Sequence, residues 1–152
     1  MAVQTAPMKV LNFVDFRRLA LEHVPQPALV EPDDVLVRVR AAGVCGSDLH
    51  GYTGQSGRRQ PPLVMGHEAA GEVVAVGQGV TAVEVGQRVA IQPLVYRPAP
   101  TPGRAVRRLI GMNLPGAYAE YVVVPAGNLY PIPDSLPFAV AALTEPTAVA
   151  VH

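Results

Sequence analysis

Residues 66–80 read GHEAAGEVVAVGQGV, and this stretch decides how the rest of the chain is interpreted. The aliphatic residues of Ala69–Val76 lie between glycines, a pattern that predicts a short β-strand. His67 and Glu68 come directly before that strand. Because zinc accepts imidazole and carboxylate ligands in one site, the start of the strand is a candidate place for a metal ion.

A second chemically dense stretch is residues 43–50, GVCGSDLH, which contains the only cysteine of the chain. A single cysteine excludes an intramolecular disulfide framework. In a reducing compartment it is a core residue, a nucleophile or a metal ligand. The stretch does not choose between these roles by itself, but the His67–Glu68 pair favours the metal ligand.

Length and composition predict one mainly β domain over residues 1–152. The 16 prolines and 14 glycines interrupt the chain too often for long helices and suit short strands joined by turns. In Asp34–Ala42, Val35, Val37 and Val39 alternate with mostly polar neighbours, as in the wall of a barrel or sandwich. The predicted strands are Met8–Val14, Asp34–Ala42, Ala69–Val76, Arg88–Pro93, Tyr118–Val124 and Leu129–Ile132.

Helices are predicted only near the C-terminus. Asp134 and Ser135 offer an N-cap, and Pro137 suits the first turn of a helix over Phe138–Leu143. A second helix is predicted from Thr144, as its cap, to the end. Because the chain ends inside an apolar segment, a boundary to a further, absent domain is expected, with a native two-turn terminal helix as the alternative.

Two other segments are predicted to be irregular. Residues 92–116 are rich in proline and arginine without periodicity, which predicts a long exposed loop. Residues 77–82, GQGVTA, match a glycine-rich dinucleotide fingerprint. No helix opens after them and no acidic residue follows at the required distance, so a hairpin turn is predicted there instead.

The charge balance bears on partners and location. Twelve basic residues offset 12 acidic ones, and this argues against a nucleic-acid partner, which normally requires concentrated positive charge. No apolar segment approaches the roughly 20 residues of a membrane helix, so no membrane partner is expected. Residues 1–8 lack a charged start and an apolar core, so a cytoplasmic location is the default expectation.

Residues 66–80 together resemble the signature of zinc-containing medium-chain alcohol and polyol dehydrogenases. The Cys45 stretch is similar to the first zinc segment of that family. Residues 143–152, LTEPTAVAVH, resemble the Glu-Pro helix of its polyol, threonine and butanediol dehydrogenase branch. The resemblance covers about Met8 to His152 and implies a GroES-like fold, a partly open β-barrel with short helices.

The resemblance also implies a set of metal ligands. Cys45, His67 and Glu145 match the catalytic zinc ligands, and Glu68 matches an exchangeable carboxylate that is an alternative ligand. Zinc in such a site lowers the pKa of a bound alcohol or polarises a carbonyl, which assists hydride transfer between a secondary alcohol and a ketone. One catalytic zinc ion is therefore expected.

Three further residues take roles from the resemblance. Asp48 matches the carboxylate that orients the His67 imidazole. Ser47 matches the hydroxyl that receives the alcohol proton, and His50 matches the histidine that passes it to solvent. A turn or capping role is the alternative for Asp48 and Ser47, and an exposed loop histidine is the alternative for His50.

The chain departs from the family pattern in two ways. Residues 94–115 contain no cysteine, so no structural zinc is expected, and whether that loop is natural or engineered is not readable. The Rossmann domain that would bind NAD or NADP is not in these residues. The expected function is therefore the zinc-binding catalytic domain of a dehydrogenase for a small alcohol or polyol, inactive alone.

Two other functions fit parts of the sequence. The first is a non-enzymatic, isolated or engineered GroES-like module with an empty or vestigial metal site. The second, a co-chaperonin, rests on fold similarity alone.

Overall fold

The computed structural model describes residues 7–98 and 105–152, and the predicted mainly β fold is confirmed. The helices among these residues are α1 (Gly46–Tyr52), α2 (Phe138–Ala141), α3 (Thr144–Val151) and a 3-10 turn at Ala126–Asn128. The strands are β1 (Pro7–Asp15), β2 (Arg18–Pro25), β3 (Asp34–Ala42), β4 (Leu63–Val64), β5 (Ala69–Val76), β6 (Arg88–Ile91), β7 (Leu94–Pro98), β8 (Ala105–Leu109), β9 (Tyr121–Pro125) and β10 (Leu129–Pro131).

The strands form a curled half-barrel. A five-stranded antiparallel sheet has the order β10-β6-β5-β3-β9, a three-stranded sheet has the order β2-β1-β4, and β7 pairs with β8. The main hydrophobic core of the half-barrel is rich in β-branched residues, which pack well on a pleated surface. The core consists of Val35, Val37, Ala69, Val73, Val83, Val89, Ile91, Val95, Ile110, Ala117, Val122, Val124 and Leu129.

The predictions for β3 and β5 match the observed bounds, whereas that for β9 began too early. Residues 118–120 lie outside β9 and bond to β1, although the Glu120 carbonyl still accepts from the Val39 amide of β3 at 2.9 Å. The Leu11 amide donates to the Tyr118 carbonyl at 2.8 Å, and the Glu120 amide donates to the Lys9 carbonyl at 3.0 Å. The predicted one-sided burial of β3 holds only in its second half, because Leu36 is buried as well as its neighbours Val35 and Val37.

The prediction of a long exposed loop over residues 92–116 was wrong for residues 92–98 and 105–116, and residues 99–104 lie outside the described part of the chain. β7 and β8 form an antiparallel hairpin there, with Tyr96 opposite Arg107. Arg97 fastens the hairpin to the main sheet through ion pairs with Asp33 at 2.6 Å and with Asp34 at 2.7 Å. The proline content misled the prediction, because the ion pairs that hold the hairpin come from residues 63 and 64 positions away.

The C-terminal helices are where they were predicted, but their caps differ. Pro137 is itself the N-cap of α2, with φ −59° and ψ 141°, rather than a first-turn residue capped by Asp134 or Ser135. Leu143 precedes α3, and Thr144 is already helical. The short α2 packs against β3 and β5 and buries Ala141 and Ala142 beside Ala70.

Residues 77–87 form a turn segment without a helix between the paired antiparallel strands β5 and β6, which agrees with the predicted hairpin turn. None of the helices in residues 7–98 and 105–152 has the length and apolar character to cross a membrane.

Candidate metal centre

Three candidate ligands meet at one end of the β3–β5 pair. The strands are antiparallel and Ala42 pairs with Ala69, so the residues just after β3 lie beside those just before β5. The ligand atoms of Cys45, His67 and Glu68 all lie within 4.8 Å of one another. His67 and Glu68 are each 6 % exposed. The two chemically dense stretches of the sequence therefore form one cluster.

Glycines allow this close approach. Gly66 has φ +93°, and a Cβ there would lie 2.5 Å from the Tyr118 ring and 2.9 Å from the Tyr118 amide nitrogen. Gly43 donates its amide to the Glu68 carbonyl at 2.7 Å, and a Cβ on Gly43 would overlap the Glu68 carboxylate. The position of both ligand candidates before β5 thus depends on residues without side chains.

Asp48 lies behind His67 and is 2 % exposed. Its Oδ2 accepts hydrogen bonds from the Cys45 amide at 3.1 Å and from the Tyr118 hydroxyl at 2.9 Å. Its Oδ1 lies 3.4 Å from His67 Nδ1 and 3.0 Å from Arg59 Nη2, but neither contact is aligned as a hydrogen bond. Asp48 therefore caps α1, as the structural alternative predicted, and also lies against the imidazole.

The same contacts determine the charges. The contact with Asp48 raises the pKa of His67 to about 9 against the opposing effect of burial, and Cys45 adds to the rise. Burial alone would raise the pKa of Asp48, but the interactions with His67 and Tyr118 outweigh it and the pKa lies below its usual value. Burial, followed by the hydrogen bond to Asp48, raises the pKa of Tyr118.

Zinc binding to this cluster is expected to strengthen with pH. A histidine must be neutral to bind a metal ion. With a pKa of about 9, the metal-free His67 is largely protonated at neutral pH. Each unit of pH below that value should weaken apparent zinc affinity about tenfold for this one proton. Chelator competition between pH 6.5 and 9 measures the slope, and an affinity that is flat over this range would contradict the assignment of His67.

Ser47 and His50 both lie on α1, three positions apart, and such residues are neighbours on one helix face. Ser47 is half-buried, and His50 is exposed in the last turn. His50 is thus a helical residue rather than a loop residue. The pair leads from the buried side of α1 to solvent.

Glu145 lies in the first turn of α3, half-buried, and is not in the group whose ligand atoms lie within 4.8 Å of one another. Burial raises the pKa of Glu145, the charge of His67 lowers it, and the charges of Glu68 and Asp48 raise it further. It also lines a groove of about 620 Å³ between β6, the hairpin and α3, with Gln92, Leu94 and Arg107 among the other lining residues.

The family model of the alcohol dehydrogenase GroES-like domain matches residues 31–134, which include β3, α1 and all three clustered ligand candidates. The chain belongs to this family. The zinc-dehydrogenase resemblance and its GroES-like fold are thereby confirmed.

Relatives of this GroES-like domain are dehydrogenases. L-threonine 3-dehydrogenase of Symbiobacterium thermophilum is 42% identical over 142 residues, which cover 87% of this chain and 40% of that protein. Sorbitol dehydrogenase of Bacillus subtilis is 37% identical over 161 residues, which cover 95% of this chain and 44% of that protein. A candidate zinc-binding dehydrogenase from Sinorhizobium meliloti, solved with NADP, superposes with a TM-score of 0.86 at 33% identity. The superposition covers 97% of this chain and 45% of that protein. The chain thus spans about two fifths of the length of these relatives.

Two residues of the candidate metal centre could not be identified from the sequence. Arg59 is 2 % exposed, although it lies in a polar segment, SGRRQ, that is typical of a surface loop. Tyr118 was placed only as the start of a strand, yet its hydroxyl bonds to Asp48 and to the Gly43 carbonyl. No local pattern distinguishes either residue, because their partners are distant in sequence.

Proposed function

We propose that this chain is the zinc-binding catalytic domain of an NAD(P)-dependent dehydrogenase that interconverts secondary alcohols and ketones. The observation that carries the proposal is the cluster formed by half-buried Cys45 with buried His67 and Glu68. In the proposed site, Cys45 and His67 are ligands and a glutamate is the third. A fourth position would remain open, as catalytic zinc sites require.

The donor set fits zinc on physical grounds. Thiolate, imidazole and carboxylate are the ligands that zinc combines in tetrahedral sites. Asp48 Oδ1 is buried, lacks an aligned hydrogen bond and faces His67 Nδ1. A ligating histidine usually donates its other ring N–H to such a carboxylate, which leaves Nε2 of His67 for the metal.

Two glutamates compete for the third position. Glu68 is within the cluster. Glu145 lies outside it, but the charges of His67 and Glu68 affect the pKa of Glu145. We propose Glu145 as the ligand and Glu68 as the exchangeable carboxylate. Two observations support Glu145 in this role: it lines the groove, and its pKa responds to the charges of His67, Glu68 and Asp48.

The chain's own residues would handle the proton. When bound, zinc would lower the pKa of an alcohol and polarise a carbonyl. The Ser47 hydroxyl would accept the alcohol proton and give its own proton onward, and exposed His50, on the same helix face, would exchange it with solvent. Asp48 would hold the His67 ring in one orientation throughout.

Substrate and cofactor follow from the same proposal. The groove beside Glu145 is large enough for a small alcohol or polyol and has mostly apolar walls with few polar groups, as small-molecule sites do. The hydride acceptor would be NAD or NADP, held by a second domain. The relatives support this, because the chain matches only about two fifths of their length.

A chimera tests the proposal. Residues 1–152 joined to the part of Bacillus subtilis sorbitol dehydrogenase that follows its matched segment should reduce NAD with a polyol or a simple secondary alcohol. The isolated chain should show no such turnover. Spectrophotometric detection of NADH formation measures both rates.

The matched control is the same chimera with Cys45→Ser, which should be inactive but folded. Robust NAD reduction by the isolated chain would contradict the need for a second domain. A chimera that is metal-free, inactive and unaffected by chelators in its melting temperature would favour the non-enzymatic module.

A further inference from the structure

Arg59 is a buried cation in contact with the metal centre. Its side chain is 2 % exposed, and Gly51 makes room for it, since a Cβ on Gly51 would lie 2.5 Å from Arg59 Cδ. Nε donates to the Gly111 carbonyl at 3.1 Å and Nη1 donates to the Ser47 carbonyl at 2.8 Å. All three nitrogens of the guanidinium are therefore engaged inside the protein, two of them by backbone oxygens.

The third nitrogen, Nη2, meets three candidate functional groups at once. It donates to Ser47 Oγ at 3.2 Å, lies 3.0 Å from Asp48 Oδ1 and lies 3.5 Å from His67 Nδ1. Because arginine cannot be deprotonated in proteins and has no acceptor, Nη2 is always a donor there. It occupies one lone pair of Ser47 Oγ and leaves the Ser47 O–H free to donate elsewhere.

Burial of this cation is unfavourable unless it is compensated. The compensating charge is Asp48, which is also 2 % exposed. Asp48 Oδ1 is thus shared between Arg59 and His67, so its negative charge is not directed to the imidazole alone. A planar, rigid guanidinium fixes several acceptors in one arrangement, which the compact lysine ammonium does not reproduce.

We propose that Arg59 is a positioning residue of the metal centre, whose guanidinium holds the Ser47 hydroxyl and the Asp48 carboxylate in place beside His67. This inference rests on the proposed function, because it requires that the centre binds a metal ion. Arg59 touches neither substrate nor metal and acts through these three neighbours.

The test uses the 152-residue chain with Arg59→Lys, which keeps the charge, and Arg59→Met, which keeps much of the volume. Co²⁺ replaces zinc as a spectroscopic probe, because its visible bands report ligand geometry. We expect shifted Co²⁺ bands and zinc affinity lower by about tenfold or more for both variants, the usual effect of losing a group that orients a ligand. Metal-free crystal structures should show Ser47 and Asp48 displaced from His67.

Arg97→Lys and Arg97→Met are matched controls, because Arg97 also pairs with a buried aspartate but lies at the hairpin. They should lower the melting temperature without changing the Co²⁺ spectrum. Arg59 variants that lose only melting temperature, with wild-type bands and zinc affinity, would overturn the proposal while the metal site stands. If Arg59→Met does not fold, Arg59→Lys decides.

A wild-type chain that binds neither Zn²⁺ nor Co²⁺ would instead count against the proposed function. The metal-free crystal structures then decide the role of Arg59 alone. Displaced Ser47 and Asp48 side chains in Arg59→Lys would support positioning, and unmoved ones would overturn it.

Discussion

Cys45→Ser and His67→Ala are each expected to abolish stoichiometric zinc binding. Their ligand atoms belong to the one cluster of this kind in the described parts of the chain, within 4.8 Å of one another and of Glu68. Loss of groups that only orient a zinc ligand costs about 10- to 100-fold in affinity, so loss of a ligand should cost at least about 100-fold. Elemental analysis after dialysis, with chelator competition for the residual affinity, measures the effect.

The carboxylates give the finer comparison. Glu145→Gln should weaken zinc binding more than Glu68→Gln if Glu145 is the third ligand, and the reverse order would assign that position to Glu68. His50→Ala is the control, because the exposed His50 lies outside the cluster and should leave zinc content unchanged. Stoichiometric zinc surviving both Cys45→Ser and His67→Ala would rule out the site.

Gly66→Ala is expected to destabilise the fold strongly. A non-glycine residue in a left-handed conformation costs about 1–2 kcal/mol. At Gly66 the added Cβ also meets the Tyr118 ring at 2.5 Å and the Tyr118 amide nitrogen at 2.9 Å. Overpacking typically costs about 1–3 kcal/mol more, so a total loss of roughly 2–5 kcal/mol is expected, with weaker zinc binding. Urea unfolding measures the free energy.

Gly86→Ala separates these two causes. Gly86 has φ +90°, close to that of Gly66, but a Cβ there meets nothing within 4 Å. Its loss should be limited to the conformational part, about 1–2 kcal/mol, with zinc affinity unchanged. Equal losses in the two variants would show that the contact with Tyr118 does not matter.

Sequence patterns predicted the fold where the cause was local. The bounds of β3 and β5 were predicted because each contains three valines and lies between segments that contain glycine or proline. The hairpin of β7 and β8 was missed because its proline-rich segment lacks a periodic pattern, and it is fixed instead by pairing between strands and by Arg97 on Asp33 and Asp34. The extra bonding of residues 118–120 to β1 has the same long-range origin.

The donor set of the candidate centre was predictable from the sequence, because Cys45, His67 and Glu68 lie in two chemically dense stretches, residues 43–50 and 66–71. Only the tertiary structure decided what surrounds them. The antiparallel pairing of β3 with β5 brings the ligand atoms together, and burial places Arg59 and Tyr118 on Asp48. The physical reason is that ligand chemistry belongs to single side chains, whereas burial and charge compensation arise between residues far apart in the sequence.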